Sequence, residues 1–553
     1  MLDKLRARAA RHPNLTLALI TLAALAPFLA KPFNMDDPLF LWAAKHIQGH
    51  HENFYGFNVK WGFRELPMSQ VTENPPLACY YLALAAGVVG WSEVGLHVAF
   101  LLPAIAAIVG TYQVARRLCK SPEWAALITV FTPVFLVSAS TVMCDVMMLA
   151  FWIWAIAFWL KGIEEKGFRS LAFAGMLVSL SLLTKYFGVC LIPLLAAHGL
   201  AHQRRLGRWA LALLIPIATI CIYQIDTSWI YGTGLLSAAG RYANSAAHIY
   251  EVSKFNSCAI ALAFTGGCVA TAAFFMPLLW KFTPKLIGVT VFLTLLFILI
   301  AGGVFTKYPD IETPIAGKVQ FVAWALGGVG ILALAAADLQ RRRDAASWLL
   351  ALWVAGTFVF TALINWTVNG RSILPLVPAV AILIARRLDQ FPGRHEPKAI
   401  CLAAGAALSF VVVGADCTFA HAVRDLAQKV SSTYQQPSRP LWFQGHWGFQ
   451  YYMQQWGGTP VDFNSSPINP GDVVAVPSDN TNLRRPSAGA ADLISTITVI
   501  RTGALDTMDS TTGAGFYSSG WGPLPFALGH VAPEYARVYQ IKEPSVATPA
   551  NPQ

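Results

Sequence analysis

The chain is 553 residues long, 55% hydrophobic and 12% charged, with a formal charge of +11. Soluble domains carry about 25% charged residues, so this composition cannot furnish an aqueous surface for 60.0 kDa of protein. A mean hydropathy of +0.50 excludes disorder and demands lipid as solvent. The basic excess raises nucleic acid as a partner until the charges are located.

A bilayer-spanning helix needs about 20 mainly apolar residues, and about thirteen such runs follow one another. They begin at or near Leu15, Gly95, Trp124, Asp145, Phe168, Phe187, Trp209, Ser257, Leu286, Lys318, Ala346, Ser372 and Ala399. Basic clusters fill alternate gaps. Lys4–Arg11, Arg116–Lys120, Lys161–Arg169, Arg204–Arg208, Lys281–Lys285, Arg341–Arg343 and Arg386–Lys398 hold 22 of the 40 basic residues. The positive-inside rule then puts the N-terminus in the cytoplasm, and an odd number of spans puts the tail on the far side. The charge is topological, so no nucleic-acid partner is expected. The first run follows a basic segment as a secretory signal would, but a dozen spans continue its orientation, and an uncleaved anchor is expected. Nine cysteines show no CxxC pair and mostly fall in apolar runs, where they read as small hydrophobes.

The first external loop, Lys31 to Pro76, is too long for a simple connection. It opens with Asn34-Met35-Asp36-Asp37-Pro38, followed by an amphipathic run from Leu39 to Ile47. Asp36 or Asp37 would cap that helix, with Pro38 at its first position. A cap explains one acid and not two at the hydrocarbon boundary, where an uncompensated carboxylate is costly. His46 and His50 stand i, i+4, but no third ligand is well spaced for zinc. The loop closes on Glu73-Asn74-Pro75-Pro76-Leu77, and Leu77 to Val89 predicts a short helix in the outer interface.

Three further charges lie on the same outer side. Asp145 follows an almost loopless turn, Lys185 stands alone in Thr184-Lys185-Tyr186, and Arg371 sits in Asn369-Gly370-Arg371-Ser372. Asp145 could be another cap, and the two cations could snorkel to lipid headgroups. Together they make a chemically useful set, because cations hold a phosphate and acids serve as base or metal ligands. From about residue 420 the composition turns to Gly, Ser, Pro, Thr and Asn. Short β-branched runs at Val473–Val476 and Thr496–Ile500 predict strands. The expected architecture is an all-α polytopic membrane body over 1–420 and a small C-terminal α/β periplasmic domain over 421–553.

The acidic pair after the first span, the Pro-Pro-Leu helix, Asp145 opening the fourth span and Thr184-Lys185 after the fifth resemble the GT-C glycosyltransferases. More narrowly they are similar to the bacterial branch of the dolichyl-phosphate-mannose protein mannosyltransferase and aminoarabinose transferase family. The resemblance covers roughly residues 30–200 and returns at Gly370-Arg371-Ser372-Ile373-Leu374-Pro375, like the family's Arg-x-x-Leu-Pro segment. It implies a GT-C-like body with interfacial helices in the first periplasmic loop. The implied enzyme is an inverting glycosyltransferase that moves a hexosyl or pentosyl group from a polyprenyl-phosphate sugar to an envelope lipid, glycan or protein. It would act at the periplasmic face of the bacterial inner membrane.

Carried over by that resemblance, Asp36 is the base or positions the acceptor, Asp37 stands where many members have Glu and supports it, and Asp145 is the second acid. Lys185 and Arg371 would hold the carrier phosphate. The resemblance assigns no definite cofactor and leaves metal dependence open; a divalent metal ion, if used, would meet Asp36 and Asp145. Many relatives have Lys or His before Pro-Pro where this chain has Asn74, so Lys60 or Arg64 would supply that phosphate contact. Leu441 to Tyr452 also resembles the start of the outer domain in bacterial members, and no chemistry attaches to His446. A polytopic transporter or lipid flippase is the alternative; it would want charges near mid-membrane and an inverted repeat.

Overall fold

A computed structural model describes residues 11–542 except 73, 250–252, 391–394, 438 and 488. Lys4, Arg6, Arg8, Glu73 and Arg394 therefore lie outside the described residues.

Each of the apolar runs becomes helical. Among the described residues, seven helices are long and apolar enough to cross a membrane: Glu93–Leu118, Asp145–Glu164, Trp209–Tyr231, Pro284–Phe305, Pro314–Arg342, Ala345–Ile364 and Glu396–Tyr434. Two bent pairs bring the number to nine. Pro122–Val130 and Pro133–Ala139 meet at 62°, and Lys254–Cys268 and Ala270–Leu279 at 82°. Pro133 opens the second helix of the first pair, where its missing N–H is tolerated at a helix start and not within one. The chain is a multi-pass membrane protein.

The remaining runs are apolar but shorter or interrupted. The runs from Leu15 and Phe168 give Pro13–Phe28 and Phe168–Thr184. The run from Phe187 begins as a 3₁₀ turn, Tyr186–Cys190, before the helix Leu191–Gln203. The run from Ser372 is divided into Gly370–Ile373, a 3₁₀ turn at Leu374–Leu376 and the helix Val377–Leu388. Hydrophobicity reports the solvent of a run, whereas continuity also depends on prolines such as Pro375 and Pro378.

Burial separates the core from the lipid-facing shell. The Asp145–Glu164 segment is 78% buried, whereas Pro284–Phe305 is 17% buried and offers its apolar surface to lipid. Trp152, Trp159 and Trp353 fill the centre. Trp353 Nε1 donates to Pro375 O at 2.8 Å, which fastens the turn following Arg371. Close approach of Lys254–Cys268 to Pro314–Arg342 rests on Gly266 and Gly328. A Cβ at either would collide with backbone, at Trp324 O and Leu262 O respectively.

In the loop between residues 31 and 76 and the segment after it, the helices Asp37–Ile47 and Leu77–Val89 flank a hairpin, Asn58–Trp61 with Arg64–Pro67. The helix His395–Tyr434 has 40 residues, about 60 Å at 1.5 Å per residue. That length exceeds a hydrocarbon core of about 30 Å. The helix runs without a break through residue 420, and the first strand of the tail is Leu441–Phe443.

The tail carries a five-stranded mixed sheet in the order Thr459–Pro460, Leu441–Phe443, Val473–Pro477, Glu534–Ile541, Ala491–Val499. The first three strands pair parallel and the last two pairings are antiparallel, with a register shift between Val538 and Tyr539. Both predicted β-branched runs are strands of this sheet. The hairpin of the first loop docks on the tail. Gly62 N donates to His446 Nε2 at 3.1 Å, Glu65 N to Asp462 Oδ2 at 2.7 Å, and Gln450 Nε2 to Lys60 O at 2.8 Å.

Candidate active site

The site begins with a turn that the sequence does not announce. Met35 has φ +49°, left-handed backbone that a non-glycine residue adopts at a cost of roughly 1–2 kcal/mol. The turn closes with Asp37 N donating to Asn34 O at 3.1 Å. It sends the two adjacent carboxylates in different directions. Asp36 Oδ2 meets Arg371 Nη2 at 2.8 Å. Asp37 turns inward, where its two oxygens accept from Asn34 N and Val142 N, both at 3.0 Å.

Neither acid is the side-chain cap expected for this helix. Asp145 is likewise not a cap. It is the first helical residue after Cys144, and its Oδ1 pairs with Lys185 Nζ at 2.5 Å. Lys185 and Arg371 therefore do not snorkel to headgroups, because each has a carboxylate within the protein.

Arg371 links the two pairs. Its short helix is capped by Asn369 Oδ1, which accepts from Ser372 N at 2.8 Å. Its guanidinium contacts Met143 Sδ at 3.0 Å and lies 5.8 Å from the ring centre of Tyr517. It also interacts electrostatically with Asp145. The charges alternate as Lys185, Asp145, Arg371, Asp36. Buried polar atoms in this group remain without a hydrogen-bond partner: Asp145 Oδ2, Arg371 Nε and Asn34 Oδ1. Such atoms are rare in settled structure and point to a group that completes them. Asn74 approaches the same place, since Cys144 Sγ donates to its Oδ1 at 3.6 Å.

Exposure separates the acids. The Asp36 side chain is 29% exposed and that of Asp145 is 1% exposed. An incoming group can reach Asp36, whereas Asp145 is sealed behind Lys185. Asp37 is fully buried, and burial pushes its carboxyl from 3.8 to about 7. The N–H groups of Asn34 and Val142 and the charge of Lys31 pull it down, and Asp36 pushes it up.

The structure brings together Asp36, Asp37, Asp145, Lys185 and Arg371, and leaves Lys60 and Arg64 on the hairpin. There Lys60 Nζ donates to Pro460 O at 3.3 Å, and Arg64 is exposed. A divalent ion does not fit this donor set. Asp36 and Asp145 each face a cation, and among the described residues no three His, Cys, Asp or Glu side chains converge. His46 and His50 stack at 4.5 Å, and His46 Nε2 contacts Asn53 O at 3.0 Å.

Sequence reading missed a third ion pair, beneath the site. Lys31 Nζ bonds to Asp416 Oδ2 and, at 3.3 Å, to Ser140 Oγ. Tyr517 OH donates to Asp416, and Thr507 Oγ1 reaches Asp416 Oδ1 at 3.0 Å. Gly370 N donates to Phe516 O at 2.7 Å and Ser519 N to Val368 O at 2.8 Å, so the tail grips the segment that carries Arg371. Asp416 did offer a signal, as a lone acid inside an apolar run.

Residues 73–231 match the dolichyl-phosphate-mannose-protein mannosyltransferase family. The resemblance to GT-C glycosyltransferases drawn from the sequence is borne out over this segment, which supplies Asn74, Asp145 and Lys185. No curated protein matches the chain. Among solved structures, the Archaeoglobus fulgidus oligosaccharyltransferase tethered to an acceptor peptide is 14% identical with a TM-score of 0.49, and the match covers 82% of this chain. The chain spans 64% of that protein's length. ArnT from Cupriavidus metallidurans is similar in its apo state at 16% identity and TM-score 0.41, covering 85% of this chain and 93% of ArnT. The form bound to undecaprenyl phosphate gives 15%, 0.42, 86% and 94%.

Proposed function

We propose that this protein is an inverting glycosyltransferase that moves a sugar from a polyprenyl-phosphate carrier to an envelope acceptor, a lipid, glycan or protein. One observation carries the reading. Two cations and two acids alternate around buried, unpartnered polar atoms, and one acid, Asp36, is open to an incoming group.

The carrier phosphate takes up Lys185 and Arg371 in exchange for Asp145 and Asp36, an exchange of one set of charge-assisted bonds for another. Asp36, released from Arg371, accepts the proton of the acceptor hydroxyl as its oxygen attacks the anomeric carbon from the face opposite the phosphate. The bond from that carbon to the phosphate oxygen breaks, and its electron pair leaves with polyprenyl phosphate. Lys185 and Arg371 hold the added negative charge. Asp37 fixes the turn that aims Asp36, Asp145 holds Lys185 in place until the phosphate takes it over, and Lys60 and Arg64 meet the carrier phosphate from the hairpin side.

In this reading the 1–420 body crosses the bacterial inner membrane about thirteen times, with the N-terminus cytoplasmic and the 421–553 domain periplasmic. The transferred group is a hexose or pentose.

The test incubates purified protein with a panel of polyprenyl-phosphate sugars and extracted envelope acceptors, and measures released polyprenyl phosphate. Turnover with at least one donor is expected, with a fall of about 10²–10⁴-fold in Asp36→Asn while the protein remains inserted. Full activity in Asp36→Asn overturns the assignment of the base, and turnover with no donor overturns the function.

A further inference from the structure

Resting on the transfer reaction set out above, we propose that its acceptor is a glycan, and that a cavity beside the candidate site holds the sugar units behind the one that reacts. The cavity measures about 390 Å³, within the range of small-molecule sites. Trp42, Phe57, Asn58, Glu65, Gln454 and Pro460 line it. They come from the helix Asp37–Ile47, the hairpin with the residue before it, the helix Trp447–Gln455 and the strand Thr459–Pro460.

The groups that the fold leaves uncommitted identify the ligand class. Among the described residues, the side chains of Asn58, Glu65 and Gln454 make no hydrogen bond or ion pair with the protein, and Trp42 Nε1 has no acceptor. Two amides, an indole N–H and a carboxylate offer donors and acceptors together. That mixture suits hydroxyl groups, which both donate and accept. An anion offers acceptors only and would meet the Glu65 carboxylate. The rings of Trp42 and Phe57 supply the flat apolar surface on which the C–H face of a sugar ring packs. The two lysines at the cavity are engaged elsewhere. Lys45 Nζ lies 5.3 Å from the ring centre of Trp91 and 5.6 Å from that of Tyr451, and Lys60 Nζ donates to Pro460 O at 3.3 Å.

The aromatic wall is braced from behind. Trp42 meets Trp61 edge to face at 6.2 Å, and Trp61 stacks on His446 at 4.8 Å. His446 accepts from Gly62 N, and its own N–H donates to Asn480 Oδ1 at 2.6 Å. Transfer at Asp36 uses none of these contacts. They fix the shape of the cavity, and a wall fixed in advance loses little freedom when a ligand packs on it.

Position separates acceptor from donor. Trp42 and Lys45 follow Asp36 by 6 and 9 residues, about 9 and 14 Å along a helix axis at 1.5 Å per residue. The donor sugar must lie between Asp36 and the cations that hold its phosphate, and Asp36 Oδ2 is 2.8 Å from Arg371 Nη2. A single transferred group held there does not extend to the cavity. An acceptor whose hydroxyl meets Asp36 reaches it when the acceptor is a chain of sugars.

The experiment uses the full-length protein in detergent, first without donor. Size-fractionated oligosaccharides, released by mild acid from extracted envelope, are tested for binding by saturation-transfer NMR beside a Ser/Thr-containing peptide and a short-chain phosphatidylglycerol. Binding of oligosaccharide alone is expected. Trp42→Ala should weaken it about tenfold, the loss of one aromatic contact, and Trp42→Phe should restore most of it. The Asn58→Ala, Gln454→Ala double variant changes only exposed side chains and should weaken binding by a similar factor. With donor added, Trp42→Ala and the double variant should raise the acceptor KM to the same extent and leave kcat and the donor KM unchanged.

Binding of the peptide or the phospholipid in place of the oligosaccharide overturns the acceptor class. Full oligosaccharide affinity in both Trp42→Ala and the double variant overturns the cavity, even where transfer proceeds. Oligosaccharide binding that these variants weaken, without release of polyprenyl phosphate from any donor, overturns the transfer reaction and leaves the cavity standing as a saccharide site.

Discussion

The two faces of the molecule treat positive charge differently. On the face that carries the candidate site Lys31, Lys185 and Arg371 each meet an acid, in pairs that are partly or wholly buried. On the opposite face the buried Arg386 is also held by Asp338, but Lys281 and Arg341 are exposed, and the pair of Arg117 with Glu164 is open to solvent. A cation paired inside protein has one geometry, because losing its partner strands a charge in low dielectric. A cation left at the headgroup level needs no single partner and responds to the summed potential of the membrane surface. The first arrangement suits chemistry on a substrate atom, and the second suits orientation and lipid contact.

Removing a partner on the face of the candidate site should test this contrast most sharply. Asp145→Asn strands the half-buried Lys185, and a loss of about 3 kcal/mol is expected in chemical denaturation, together with loss of sugar transfer. Tyr517→Phe takes a donor from the buried Asp416 and is expected to cost about 1–3 kcal/mol. It should also lower transfer, because Tyr517 stands against Arg371 and joins the tail to it.

Asp37 gives a pH test. Its folded value of about 7 lies above the ordinary 3.8, so the fold holds the proton more tightly than the unfolded chain. The resulting stabilisation is full below pH 3.8 and is lost as pH rises through 7. Thermal stability should therefore decline from about pH 4 to 7 and level off above that. Asp37→Asn should remove that slope, at the cost of one of the two N–H acceptors that hold the turn. The smallest effect belongs to the face opposite the candidate site. Glu164→Gln, opposite Arg117, should change the melting behaviour by no more than about 1 kcal/mol and leave transfer untouched. A large loss there would erase the distinction between the faces.

Much of the site is legible in the sequence. Asp36, Asp37, Asp145, Lys185 and Arg371 stand out because charge is scarce and costly near lipid. Their partnerships were not visible. Asp36 and Arg371 are 335 positions apart, and no periodicity links residues that only helix packing brings together. The expected caps failed for a related reason: local rules favour a carboxylate on its own helix end, and stronger tertiary partners took both side chains. Lys31 escaped attention as the last residue of an apolar run, and Tyr517 as one aromatic among many in the tail.

The sequence by itself determined the solvent, the helical body, the alternation of basic loops and the sheet-forming tail, since each depends on composition or short-range pattern. Tertiary structure decided where apolar runs bend, which acid faces which cation, and that the tail clamps the segment carrying Arg371. Those features follow from contacts between distant parts of the chain, whose energies depend on burial and geometry that no local window contains. The low charge content identified lipid as the solvent, and the fold determined which of the few charges had to be neutralised within the protein.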